Sequence, residues 1–246
     1  MPIALAIILL AAMPARAQPL TRCAVCHLAK LGQVAGDEHV AEWQSSAHAT
    51  HAVGCHDCHG GDPWGIEPAD AHRDMRGPSQ LLSPVNRLNV ADTCARCHPR
   101  NANAYATTLH ATLAEIGDRR APVCTTCHGV MSARIPSPED LEARCASCHP
   151  PGSPRAAYPA RMRAAVEALM TEQARAAALN DRAERLDDYA ARVDALATLL
   201  AVRQTLSDAI TSVHRLDPSA TMEQMATVRR QLDSISQQFP PQVFRR

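Results

Sequence analysis

Every one of the ten cysteines in this chain lies in a Cys-x-x-Cys-His motif, and there are five such motifs. They are Cys23, Cys26 and His27; Cys55, Cys58 and His59; Cys94, Cys97 and His98; Cys124, Cys127 and His128; and Cys145, Cys148 and His149. Two thiols separated by two residues span the edge of a porphyrin and reach its two vinyl groups. An imidazole directly after the second thiol then points at the iron. A zinc reading leaves an orphan pair after two four-thiolate sites, and does not explain the histidine that always follows. A thioredoxin-like redox pair needs a βαβ setting, and none surrounds any motif. The five motifs therefore predict five covalently bound haem c groups, with the ten cysteines as thioethers and the five motif histidines as proximal iron ligands.

The composition agrees. Only seven of 246 residues are aromatic, too few for a conventional core of this length, and five porphyrins supply the missing apolar surface. Lys+Arg and Asp+Glu both number 25, a balance that excludes the basic stripe of a nucleic-acid binder.

At the start of the chain, Ile3 to Met13 form an apolar run, followed by Pro14 and Ala15-Arg16-Ala17. This predicts a signal peptide over 1–17, cleaved before Gln18, and export to the periplasm. The run is shorter than the roughly 20 residues a membrane-spanning helix needs, so no transmembrane anchor is expected. An uncleaved N-terminal anchor is the alternative.

Glycine, cysteine and all but one histidine end by Gly152, and residues 160–217 contain neither Gly nor Pro. The Pro150–Pro154 stretch reads as a linker. The expected organisation is a pentahaem cytochrome c domain over 18–152 and a helical C-terminal domain over 153–246. The expected fold class is mainly α: a loop-rich multihaem domain with short helices, then a long-helix hairpin or three-helix bundle. Leu186, Tyr189, Val193, Leu196 and Leu200 step like the apolar seam of a packed helix, continued by Leu206, Ile210 and Val213. Asp181 with Glu184 suggests a helix start, placing a break near Asn180. Pro218 should open a third helix, with Met222, Met225, Val228, Leu232, Ile235 and Phe239 as its apolar face. These helices serve either as a packing lid or as a surface for a homodimer or a docked partner.

Seven histidines lie outside the attachment positions. A second axial imidazole is common where haem iron transfers electrons. His48 and His110 share a pattern, an aromatic residue five positions earlier (Trp43, Tyr105) with hydroxyl side chains between, and each lies between two motifs. Both are predicted distal ligands. His72 and His214 are further candidates, the latter on the stripe of Leu206 and Ile210. His39, His51 and His56 compete for the fifth place, for which we take His39; Lys30, the only lysine, is an unusual alternative.

The stretch from Cys23 to Gly61, with Glu42-Trp43-x-x-Ser46-x-His48 and Gly54-Cys55-x-Asp57-Cys58-His59, resembles NapC/NirT-type and related multihaem cytochromes c. Tyr105 to His128 is similar to a later part of the same pattern. The resemblance implies distal roles for His48 and His110 and a closely spaced haem chain. This sequence departs from the quinol-oxidising members in lacking both a membrane anchor and a Met after His27.

Together these readings imply a periplasmic pentahaem cytochrome relaying electrons between a respiratory donor and a terminal reductase or oxidase, with redox proteins as partners and no nucleic acid. The alternative is an oxidoreductase that reduces a small nitrogen or sulfur oxyanion at one haem with an open sixth position. No Cys-x-x-Cys-Lys motif, the clearest sign of that class, is present.

Overall fold

The computed structural model describes residues 21–30 and 38–238, and the regular structure among them is entirely helical. The segment 1–17, read above as a signal peptide, and Phe239 lie outside the described residues. The chain divides into two compact units, one drawn from residues up to 75 together with 131–133, the other from 76–130 and from 134 onward.

The first unit contains short helices α1 (Arg22–Ala29), α2 (Glu38–Gln44), α3 (Ala47–Thr50), α4 (Cys55–His59) and α5 (Pro68–Ala71). Hydroxyl caps start two of them. Thr21 Oγ1 accepts the Ala24 N–H, and Ser46 Oγ accepts the Ala49 N–H. Their small core is Ala24, Val40 and Trp43, backed by Leu28, Ala49 and Met131.

The second unit continues with α6 (Val90–Ala95), α7 (Pro99–Ala106), α8 (Leu109–Glu115), α9 (Cys124–His128) and α10 (Pro138–Ala146). Three long helices follow: α11 (Tyr158–Ala183), α12 (Tyr189–His214) and α13 (Pro218–Gln238). They pack on one another as a three-helix bundle, so the mainly helical fold with short helices first and long helices last is the observed one. The core does not stop at the proline-rich linker. Met162 and Val166 of α11 pack with Leu141, Cys127 and Cys145, and α12 packs on α7.

Two details of the bundle differ from expectation. The break lies at 184–188 rather than near Asn180. There, Asp188 accepts the N–H groups of Ala190 and Ala191, whereas the Asn180 side chain donates to Glu184 within the running helix. The expected stripe of α12 holds in part, since Leu206 is buried and Leu186, Leu196, Ile210 and Val213 pack against the core, but the buried seam is centred beside it. Tyr189 and Leu200 are 71% and 67% exposed and Val193 is exposed too, while Ala195, Leu199, Val202, Leu206 and Ala209 are buried. This buried set alternates steps of four and three, as does Thr221, Met225, Val228, Leu232, Ile235 on α13. That is the spacing of helices packed nearly antiparallel. Alanines on the seam let the helices approach closely, which a search for large apolar residues overlooks. Met222 lies on the exposed side of its helix.

One polar group crosses the bundle interior. Glu172 is 1% exposed, and its two carboxylate oxygens accept from Arg175 and Arg229, each at 2.8 Å. Arg175 also reaches Asp233 at 2.6 Å, so α11 is tied to α13 by charge as well as by packing.

Candidate haem sites

Each motif folds as a turn of helix, for a physical reason. Residues i and i+4 share a helical face, so the first cysteine and the histidine of the motif project together. In the third and fifth motifs the turn closes by His98 N–H to Cys94 C=O at 2.8 Å and His149 N–H to Cys145 C=O at 2.9 Å. The second and fourth motifs form the isolated helices α4 and α9. Each is started by the residue before its second cysteine, since Asp57 accepts the Gly54 N–H at 2.7 Å and Thr126 Oγ1 accepts the Val123 N–H at 3.0 Å. Each ends on a glycine in the left-handed region, Gly60 at φ +76° and Gly129 at φ +83°, where a side chain would be strained. Arg144 further caps α9 by donating to the Thr126 and Cys127 carbonyls.

Several motif histidines face a second imidazole. His27 and His72 have ring centres 6.1 Å apart, His149 and His110 6.1 Å, and His128 and His214 6.0 Å. Two metal–nitrogen bonds of about 2 Å each account for some 4 Å of such a gap, and two half-rings fill the remainder. The rings are therefore spaced to hold one metal atom between them.

Hydrogen bonds settle which nitrogen is free. His72 Nδ1 donates to the Pro68 carbonyl, His214 Nδ1 to that of Ile210 and His128 Nδ1 to that of Arg134, at 2.8, 2.8 and 2.9 Å. A carbonyl only accepts, so Nδ1 carries the proton and Nε2 keeps its lone pair, as in metal-ligating histidines. Burial pushes the basicity of His59, His110 and His214 down, which favours the neutral, ligating form. His39 lies near enough to His59 to lower it further.

The aromatic-x4-His pattern is a structural repeat. Trp43 Nε1 donates to the Val53 carbonyl at 2.9 Å, and Tyr105 Oη donates to the Pro122 carbonyl at 2.8 Å. Val53 and Pro122 each stand two residues before the first cysteine of a motif. Ser46 and Thr108, two before the histidine, cap the short helices that carry His48 and His110. The module thus ties a distal-histidine helix to the motif that follows it in sequence.

The motifs also meet one another. The thiols of Cys23 and Cys55 lie close enough to interact, and so do those of Cys94 and Cys124; the interaction raises Cys55 and Cys94 and lowers their partners. Cys127 and Cys145 pack in one apolar cluster. These neighbour relations have no signal in the spacing of the motifs.

The remaining candidates are placed as follows. His48 lies on α3, half-buried. His51 is exposed, with Nδ1 on the Ala47 carbonyl, His56 sits inside α4 with Nε2 3.6 Å from Asp57, and Lys30 is exposed at the end of α1. Among the described residues no three His, Cys, Asp or Glu side chains gather into a metal-ion cluster. The imidazoles meet in twos, as two axial positions require and a four-ligand zinc site does not.

A cleft of about 270 Å³ opens at the His110–His149 pair, beside Leu109 and Tyr158. Imidazole pairs and flanking thiols are the donor set that a covalently attached porphyrin with axial nitrogen ligands requires. Residues 81–150, which carry the third, fourth and fifth motifs, match the family model described as cytochrome c7 and related cytochrome c. That likeness places the segment with the multihaem cytochromes c. It implies covalently bound haem c and electron transfer. No curated protein and no solved structure matches the chain. The stretch Cys23–Gly61 lies outside the matched segment. Among the described residues no helix is long and apolar enough to cross a membrane.

Proposed function

We propose that the chain is a pentahaem c-type cytochrome relaying electrons in the periplasm between a respiratory donor and a terminal reductase or oxidase. The observation that carries this reading is the set of facing imidazoles 6.0–6.1 Å apart, each set joining a motif histidine to one from outside the motifs. Haem iron held between two imidazoles supplies reversible one-electron transfer.

In this reading His27 and His72 serve the first haem, and His59 and His39 the second. His128 and His214 serve the fourth, and His149 and His110 the fifth. His98 is the motif ligand of the third, and His48 keeps the distal role that its aromatic-x4-His pattern gives it. The backbone carbonyls on His72, His128 and His214 hold those rings in place, so little rearranges when charge arrives or leaves. The cysteine contacts make neighbours of the first and second attachment sites, of the third and fourth, and of the fourth and fifth. The Ala-x-Ala signal after the apolar run supports export.

The stoichiometry is tested by intact mass of the purified, denatured protein together with thiol labelling. The expected mass corresponds to five haems with no reactive thiol. A haem-free mass, or labelled cysteines, contradicts the reading.

A further inference from the structure

We propose that Arg155 and Arg215 form a two-guanidinium clamp for the paired carboxylates of the group held between His110 and His149, namely the two propionates of the fifth haem. The inference rests on the reading that haem is bound there and assigns two residues a task in holding and tuning it.

Arg155 and Arg215 both line the cleft that contains the facing imidazoles, along with Leu109 and Tyr158. No carboxylate lines it. Among the described residues neither side chain has an ion-pair partner. Several other arginines of the same unit are ion-paired, as Arg163 is with Glu139, Glu142 and Glu167, while others are not; what sets Arg155 and Arg215 apart is their place at the cleft of the facing imidazoles. The cleft thus carries two exposed arginines without an ion-pair partner, beside two imidazoles and the apolar surfaces of Leu109 and Tyr158. A flat apolar ligand with two carboxylates on one edge matches that distribution, and guanidinium meets carboxylate by paired, charge-assisted hydrogen bonds.

The backbone explains how two distant arginines share one rim. Arg215 follows the last residue of α12, and the next residue, Leu216, is a non-glycine in the left-handed region at φ +58°. The Asp217 N–H closes that turn on the Ser212 carbonyl at 3.0 Å. The Tyr158 hydroxyl donates to the Leu216 carbonyl, and Tyr158 stands three residues after Arg155. One hydrogen bond therefore fastens the segment bearing Arg155 to the helix end bearing Arg215. Left-handed backbone is costly for leucine, and here it directs Arg215 and Leu216 to the cleft.

The clamp has an electrostatic consequence. A guanidinium beside a propionate cancels its negative charge near the iron; without it, the extra negative charge favours the more positive ferric state. In the haem-loaded protein, the double variant R155Q/R215Q should lower one midpoint potential in a redox titration. The affected wave should be the one that the His110→Ala variant also perturbs. The charge-conserving R155K/R215K should restore most of the shift. Arg161→Gln, which removes a guanidinium of α11 that lies outside this cleft, should leave the titration unchanged. Peptide mass mapping reports separately whether Cys145 and Cys148 carry haem. Haem present at those cysteines with an unchanged titration in R155Q/R215Q overturns the clamp and leaves the cytochrome reading standing. Absence of haem from those cysteines in the unaltered protein overturns both.

Discussion

His128, the motif histidine of α9, and His214, the last residue of α12, face each other with ring centres 6.0 Å apart and ring planes 10° from parallel. The long C-terminal helices are thereby more than a cover for the attachment segment, because one of them brings an imidazole to it. The same helices bury Met162 and Val166 against Cys127 and Cys145. Removing the whole bundle would strip packing from two motifs at once, so point substitutions separate the ligand from the scaffold more cleanly.

His214→Ala should leave all five haems attached, since attachment needs only the motif cysteines. It should open one iron, so that the reduced protein binds one equivalent of carbon monoxide that the unaltered protein does not bind. Optical titration with carbon monoxide reads this directly, and no gain in binding removes His214 from the ligand set.

Leu199 and Leu200 are neighbours in sequence and opposites in the bundle, at 2% and 67% exposure. Leu199→Ala should cost about 2–5 kcal/mol by loss of buried methyl groups and the cavity left behind. Leu200→Ala should stay within about 0.5 kcal/mol of the parent. Denaturant unfolding of the two variants side by side checks the position of the seam.

Glu172 gives a test with an asymmetric outcome. Removing both arginine partners strands a buried carboxylate, and R175A/R229A should destabilise the protein by about 3–5 kcal/mol. Glu172→Gln instead frees two guanidiniums that can reach water, and should cost less, about 1–3 kcal/mol. Thermal unfolding followed by far-ultraviolet circular dichroism ranks the two.

Tyr105→Phe keeps the ring and deletes the donor to the Pro122 carbonyl. The expected loss is about 1 kcal/mol. Haem content should be unchanged, and carbon monoxide should gain partial access to the haem served by His110. Trp43→Phe, which deletes the donor to Val53, should behave the same way in its own unit. A variant pair with no change in stability or access would show that the repeated hydrogen bond is incidental.

The sequence was most legible where chemistry fixes spacing. The motifs announce themselves, and His72, His110 and His214, picked out by position and pattern, each lie opposite a motif histidine. A helix end was legible where a proline dominates, as at Pro218. The start of α12 was misplaced at Asp181, because only the folded chain shows that Asp188 meets the free N–H groups of Ala190 and Ala191. The centre of the α12 seam was hidden by its alanines, whose value lies in close approach rather than in apolar area. Neighbouring motifs, such as those joined through Cys23 and Cys55, depend on tertiary contact and leave no trace in local pattern.

The central claim is that imidazole pairs hold the irons, and the electron paramagnetic resonance spectrum of the fully oxidised protein tests it most directly. The relative twist of two axial rings sets the splitting of the iron d orbitals. The near-parallel His128 and His214 should therefore give a rhombic low-spin signal. His27 and His72, crossed at 68°, should give a low-spin signal dominated by one large g value. The account predicts that both low-spin types appear and that together they account for all the iron. A dominant high-spin signal would contradict it.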